Sequence, residues 1–136
     1  MGNIAQNATS HGYRVLWSPT SVWYLSHNDS FWTNVYKQEP CEGIAADVCE
    51  TLVLGGGGEL WGEMVDASDI MQTIWPRLGA IGERLWSPQN ITDYRKAQPR
   101  LMYFRCMLNQ RGVAAAPLTN RYARSAPPRP GSCYEQ

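Results

Sequence analysis

Thr51-Leu52-Val53-Leu54-Gly55-Gly56-Gly57-Gly58 is the stretch on which the fold turns. Four apolar residues run on without alternation and stop abruptly at four glycines, the pattern of a strand covered on both faces. Strands of that kind belong to parallel sheets clothed by helices, so an α/β fold is expected. Upstream, Tyr13-Arg14-Val15-Leu16-Trp17 is a second β-prone run, closed by Ser18-Pro19. Residues 18–50 between them mix aromatics with Asn, Asp, Ser, Gly and Pro, which reads as a long loop with a helical turn.

Downstream the period changes. After Asp66-Ala67-Ser68, a plausible N-cap region, Ile70, Ile74, Leu78, Ile81 and Leu85 recur at steps of four, four, three and four, one buried helical face. Pro76 does not suit a helix interior, so it is placed at the first turn of the main helix, with 69–74 as a separate turn. Ala97, Leu101, Phe104 and Leu108 form a second helical face, ended by Gly112 beside Arg111; Pro99 marks an early turn or a kink. From Ala114 on, five prolines and glycines from Pro117 to Gly131 make an extended tail. The division is a poorly patterned segment at 1–12, an α/β part at 13–113 and a Pro-rich tail at 114–136. Two strands do not make a stable sheet by themselves, so the order strand, loop, strand, helix, helix reads as part of a larger α/β domain.

The chain has 136 residues with 12 Lys+Arg and 12 Asp+Glu, so its formal net charge is zero. That balance gives no broad basic field for nucleic acid or an anionic membrane, and recognition must rest on local shape. No apolar run approaches the ~20 residues of a spanning helix. Three acceptor sequons, at Asn7, Asn28 and Asn90, and four cysteines, at 41, 49, 106 and 133, suit an oxidising compartment. Yet Met1 to Gln6 has neither the basic nor the apolar region of a signal peptide, and Gln6 stands where myristoylation expects Ser or Thr. Either the protein is cytosolic or its natural start lies upstream.

The glycine run continues into Glu59-Leu60-Trp61-Gly62-Glu63. Glycines let the backbone turn sharply and let a ligand come close. A phosphate cradle would need Lys followed by Ser or Thr, and Glu59 and Glu63 would repel phosphate. A Trp two residues before a carboxylate, at the C-terminal end of a parallel strand, suits a sugar instead. The ring covers pyranose C–H groups while the carboxylate accepts hydroxyl hydrogen bonds. Against that stands the plain alternative that Trp61 is core and Glu63 a solvated rim. Trp23-Tyr24-Leu25 follows the first strand, and a parallel arrangement brings it to the same end. There the Tyr24 hydroxyl can donate to a substrate carbonyl, or the aromatics simply pack over a loop. His11 and His27 have no neighbours at ligand spacing and no C-x-x-C occurs, so neither a metal nor another cofactor is expected.

Trp23-Tyr24-Leu25, Glu39-Pro40, Leu54-Gly55-Gly56, Leu60-Trp61-Gly62-Glu63, Ile74-Trp75-Pro76-Arg77, Glu83-Arg84-Leu85-Trp86-Ser87, Arg105-Cys106, Arg111-Gly112-Val113 and Pro117 occur in this order. Together they resemble the C-terminal part of the family 20 glycoside hydrolases, the β-N-acetylhexosaminidases, and Gly131-Ser132-Cys133-Tyr134 is similar to the ending of plant members. The resemblance, spanning Gly12 to Gln136, implies the last two strands and helices of a (β/α)8 TIM barrel. It also implies a retaining reaction in which the substrate's own acetamide oxygen attacks the anomeric carbon, supported by an adjacent Asp-Glu pair. No Asp-Glu dipeptide occurs in this sequence, so no catalytic residue is assigned to it.

By the same resemblance, Tyr24 hydrogen-bonds the acetamide oxygen, Trp61 walls the pocket, and Glu63 accepts from the 4- and 6-hydroxyls. Ser26 stands near the 6-hydroxyl where many members have Asp or Asn. Gly57 replaces a usual Glu, and Glu59 a usual Cys. Cys106 and Cys133 match a family disulfide; Cys41 and Cys49 receive no assignment. The implied partners are glycans ending in N-acetylglucosamine or N-acetylgalactosamine, and a homodimeric full-length form. The implied location is the secretory pathway, vacuolar, lysosomal or extracellular, with the signal peptide lost by truncation. A truncated hexosaminidase, inactive alone, is the leading expectation; a non-catalytic sugar-binding module or a non-functional remnant are the alternatives.

Overall fold

The computed structural model describes residues 4–26 and 31–119. Two strands form the centre: β1 (Val15–Trp17) and β2 (Val53–Gly56) pair in parallel, Val15 opposite Val53 and Trp17 opposite Gly56, with a register shift after Val15. The expected parallel pair is thus present. The structure is a mixed α/β arrangement in which the helices cover the Trp17 side of the sheet.

The glycine-ended run begins differently from the sequence expectation. Thr51 and Leu52 close α3 (Ala46–Leu52), and the strand starts only at Val53. Burial on both faces is also corrected. Leu54 is 57% exposed and Leu16 74%, because among the described residues nothing packs over the sheet face that carries them. Gly56 explains the close strand pairing: a Cβ there would lie 2.1 Å from the Trp17 carbonyl oxygen and 2.9 Å from the Trp23 ring. Only glycine admits that approach.

The 18–50 stretch contains two helices rather than a single turn. In α2 (Trp32–Lys37), Trp32, Val35 and Tyr36 share one buried face at steps of three and one. α3 buries no residue; a disulfide from Cys41 to Cys49 ties it back to the preceding turn. A further helix, α1 (Ile4–Ser10), occupies the unpatterned N-terminal segment. Its buried face is made of Ala5 and Thr9, four apart and too small to register as an apolar stripe.

The C-terminal half matches its sequence pattern. α4 (Ile70–Ile74) is a separate turn, Pro76 is the N-cap of α5 (Arg77–Leu85), and α6 (Tyr94–Gln110) carries Pro99 within it. Asp93 caps α6 by accepting from the Arg95 N–H at 3.0 Å. Gly112, at φ 83°, follows the C-cap Arg111. α2 packs on α5, and Trp23, Leu25, Trp32, Val35, Tyr36, Ile81 and Leu101 form the core. Burying each large side chain contributes about 1.5–3 kcal/mol.

The tail does not leave the core at once. Ala115 and Leu118 are 1% exposed, and the Ala116 N–H donates to the Trp75 carbonyl at 3.0 Å. The buried Arg105 guanidinium donates to the Ala115 carbonyl, and burial pushes its pKa down. Cys106 is disulfide-bonded; Cys133, its expected partner, lies outside the described residues.

Candidate hexosamine site

Both strands end on the same side, and the chain beyond each carries the candidate residues. Past β1, Pro19 to Trp23 turn back, the Val22 and Trp23 N–H groups donating to the Pro19 carbonyl. Trp23 is fully buried; its indole Nε1–H donates to the Val35 carbonyl at 3.0 Å, and its ring meets Trp17 edge-on at 5.0 Å. That anchor fixes the next residue. Tyr24 forms a parallel bridge with Glu59, flanked by Glu59 N–H to Trp23 O at 3.0 Å and Leu25 N–H to Glu59 O at 2.7 Å.

Alternation then sorts the second segment. A Cβ on Gly58 would lie 2.6 Å from Ile81 Cδ1, and Leu60 packs against the core, so the even positions face inward. Glu59 and Trp61 therefore stand on the other face, and Trp61 is 59% exposed. Two of the glycines, Gly56 and Gly58, are required by protein packing rather than by a ligand. The Tyr24 hydroxyl donates to Glu63 Oε1 at 2.9 Å, joining residues 39 apart in sequence. Ser18 Oγ donates to Glu59 Oε1 at 3.3 Å.

The four residues singled out in sequence thus lie in one patch, but not on equal terms. Tyr24 is half-buried and Trp61 and Glu63 are exposed, whereas Ser26 is 1% exposed. Its hydroxyl accepts from the Trp61 N–H and donates to the Trp61 carbonyl, each at 3.2 Å. The Tyr24 pKa is raised, first by desolvation, then by the hydrogen bond to Glu63 and its charge; a hydrogen bond with the Ser26 side chain opposes the rise and Glu59 adds to it. A recess of about 440 Å³, within the range of small-ligand sites, opens beside Glu63 and is lined by 62–66, Ser68 and Asp69. Asp66 in that wall has a lowered pKa because the Ser68 hydroxyl and N–H both donate to it. Among the described residues no group of three or more His, Cys, Asp or Glu is placed to hold a metal.

In sequence Glu59 stands out as a phosphate-repelling carboxylate and as a departure from the family pattern, and nothing there predicts its partners Ser18 and Tyr24. The alternation of Glu59 with Trp61 is the available signal, and it stops at the turn of residues 62 and 63. Of the sequons, Asn7 is exposed on α1 while its acceptor Thr9 is buried, with Oγ1 donating to the Ala5 carbonyl. Asn90 is exposed in the turn after α5. Asn28 lies outside the described residues.

A family model described as glycosyl hydrolase family 20, catalytic domain, matches residues 1–89. The chain belongs to glycosyl hydrolase family 20. It is 48% identical to beta-hexosaminidase 1 of Arabidopsis thaliana over the whole chain, which covers 26% of that protein. With beta-hexosaminidase subunit B1 of Dictyostelium discoideum it shares 42% identity over 97% of the chain and 23% of the relative. Among solved structures, the chitobiase of Flavobacterium johnsoniae superposes with a TM-score of 0.67 at 26% identity, over 86% of this chain and 17% of that one. This family 20 chain therefore spans about a quarter of the length of the curated relatives it matches. Its Tyr24–Glu63 pair and outward Trp61 fall inside the matched 1–89 region.

Proposed function

We propose that the residues described here form one wall of the substrate pocket of a β-N-acetylhexosaminidase, which removes terminal N-acetylglucosamine or N-acetylgalactosamine from glycans. The observation that carries this reading is the Tyr24–Glu63 hydrogen bond of 2.9 Å, with an outward, exposed Trp61 two residues before Glu63, just past the C-terminal ends of two parallel strands. Ligand sites of α/β enzymes gather at that end. The two strands are read as the last two of a (β/α)8 barrel, with 13–113 as the barrel part and 114–136 as the tail.

The chemistry of each group follows from its character. Trp61 offers an apolar face to the C–H groups of a pyranose. Glu63, acceptor-only when ionised, takes hydrogen bonds from sugar hydroxyls, which are stronger to a charged acceptor than to a neutral one. Tyr24 keeps its proton because ionisation beside Glu63 is opposed; that single proton is held by Glu63 here, and it serves the acetamide oxygen by turning from Glu63 when Glu63 accepts from the sugar instead. These groups bind and orient. The retaining, substrate-assisted step requires a general acid on the far side of the glycosidic oxygen, which we assign to no residue of this chain. The Cys41–Cys49 disulfide supports passage through the oxidising secretory pathway.

A chromogenic N-acetylglucosaminide tests this division of labour. The 136-residue chain is expected to release no chromophore; turnover that disappears in Glu63→Ala would place the proton donor within it and contradict the reading.

A further inference from the structure

Trp61 is 59% exposed, and a ring that reaches so far into solvent binds well only if its backbone is held. The parallel ladder that fixes Tyr24 includes the Leu25 N–H on the Glu59 carbonyl at 2.7 Å. In that register the next rung would join Trp61 to Leu25 and residue 27; the Leu25 carbonyl accepts instead from the Arg77 guanidinium, residue 27 lies outside the described residues, and the Ser26 side chain reaches the Trp61 peptide. One hydroxyl accepts from the Trp61 N–H and donates to the Trp61 carbonyl, both at 3.2 Å. A hydroxyl can do both at once, since it carries one donor and two acceptor sites. The hydroxyl also interacts with the Tyr24 side chain, and at 1% exposure it is shut off from any sugar in the pocket.

We infer that Ser26 is a positioning residue for Trp61, clipping the Trp61 peptide so that the ring is presented to the hexosamine, and is not itself a sugar contact. The inference rests on the hexosamine reading and replaces the direct contact to the 6-hydroxyl that the family resemblance suggests for this position. The chemistry of the side chain is decisive. An alanine leaves both Trp61 backbone groups without this partner, threonine keeps the hydroxyl, and an ionised aspartate can accept from the N–H but has no proton for the carbonyl.

Amide hydrogen exchange at Trp61 and N-acetylglucosamine affinity, both measured by NMR on the full chain, test the clip. Ser26→Ala is expected to speed Trp61 exchange about tenfold and weaken the sugar by about fivefold, the scale of a lost hydrogen bond. Ser26→Thr is expected to restore both to within about twofold of the natural chain on the same scale. In a Trp61→Ala background, Ser26→Ala is expected to weaken binding no further, since the effect runs through the ring. Should Ser26→Ala unfold the chain, Ser26→Cys gives the same comparison with a weak thiol donor. Unchanged Trp61 exchange in Ser26→Ala, or affinity that falls equally with and without Trp61, overturns the inference. A natural chain that binds no sugar, yet loses Trp61 protection in Ser26→Ala and regains it in Ser26→Thr, overturns the hexosamine reading and supports the clip.

Discussion

The Tyr24 hydroxyl donates to one carboxylate, Glu63, and lies within the electrostatic reach of a second, Glu59. Desolvation and both charges oppose its ionisation, so its pKa stands above the ordinary 10.0. The sign follows directly. A folded pKa above the unfolded one favours the protonated form, so its stabilisation is complete below about pH 10 and fades as pH rises through the folded value. Glu63→Gln removes the charged acceptor and is expected to bring the Tyr24 pKa down toward 10.0, as read from the Tyr24 ring carbon shift in an NMR titration. No movement in that variant would mean that Glu63 does not contribute and that desolvation and Glu59 set the shift. At this scale much of the site was legible. The Trp61-x-Glu63 spacing after the glycine run, the placement of Tyr24 beyond a parallel strand and the family resemblance together bring these groups to one end. The burial of Ser26 was not legible, because a lone serine in a polar loop carries no pattern that tells a sugar contact from a backbone clip.

Among the elements, the glycine run positions the site through the core. Gly56 lets Trp17 and Trp23 close on β2, while Gly57 has nothing within 4 Å of its missing Cβ. Gly56→Ala is therefore expected to destabilise the chain by about 1–3 kcal/mol, the scale of overpacking a tight interior, and Gly57→Ala to stay within about 0.5 kcal/mol. Urea unfolding midpoints compare the two; equal midpoints would show that the approach of Trp17 is not required.

The elements with strong periodicity were readable: the five apolar positions from Ile70 to Leu85, the break at Pro76 and the Gly112 stop. The helices missed were short. α1 buries only Ala5 and Thr9, α2 has six residues, and α3 buries none, so tertiary contacts and the Cys41–Cys49 bond hold them instead of an apolar stripe. The strand after α3 was placed two residues early because Leu52 and Val53 are equally apolar, and periodicity alone does not divide a helix end from a strand start.

For the whole molecule, the two-stranded sheet has one face packed on helices and another carrying the exposed Leu16 and Leu54. The expectation of burial on both faces came from the apolar run itself, and the described residues cover only one of them. Unpaired parallel edges and an uncovered apolar face agree with the proposal that these strands belong in a closed barrel, where both would be covered. Ion pairs hold the helical side together. The buried Arg84 pairs with Glu39 at 3.2 Å and donates to the carbonyls of Ser87 and Pro88, bracing the turn after α5. That rigid side supports the loops that present Tyr24, Trp61 and Glu63.

The central claim is that these three residues make a wall selective for N-acetylhexosamine. Its most direct measurement is an NMR titration of the chain with N-acetylglucosamine and, separately, glucose, following the Trp61 indole Nε1–H and the Tyr24 ring. The account predicts that N-acetylglucosamine shifts both signals, that glucose shifts them far less, and that Trp61→Ala moves the Tyr24 response to higher N-acetylglucosamine concentration. Equal responses to the two sugars, or a Tyr24 response at unchanged concentration in Trp61→Ala, would contradict it.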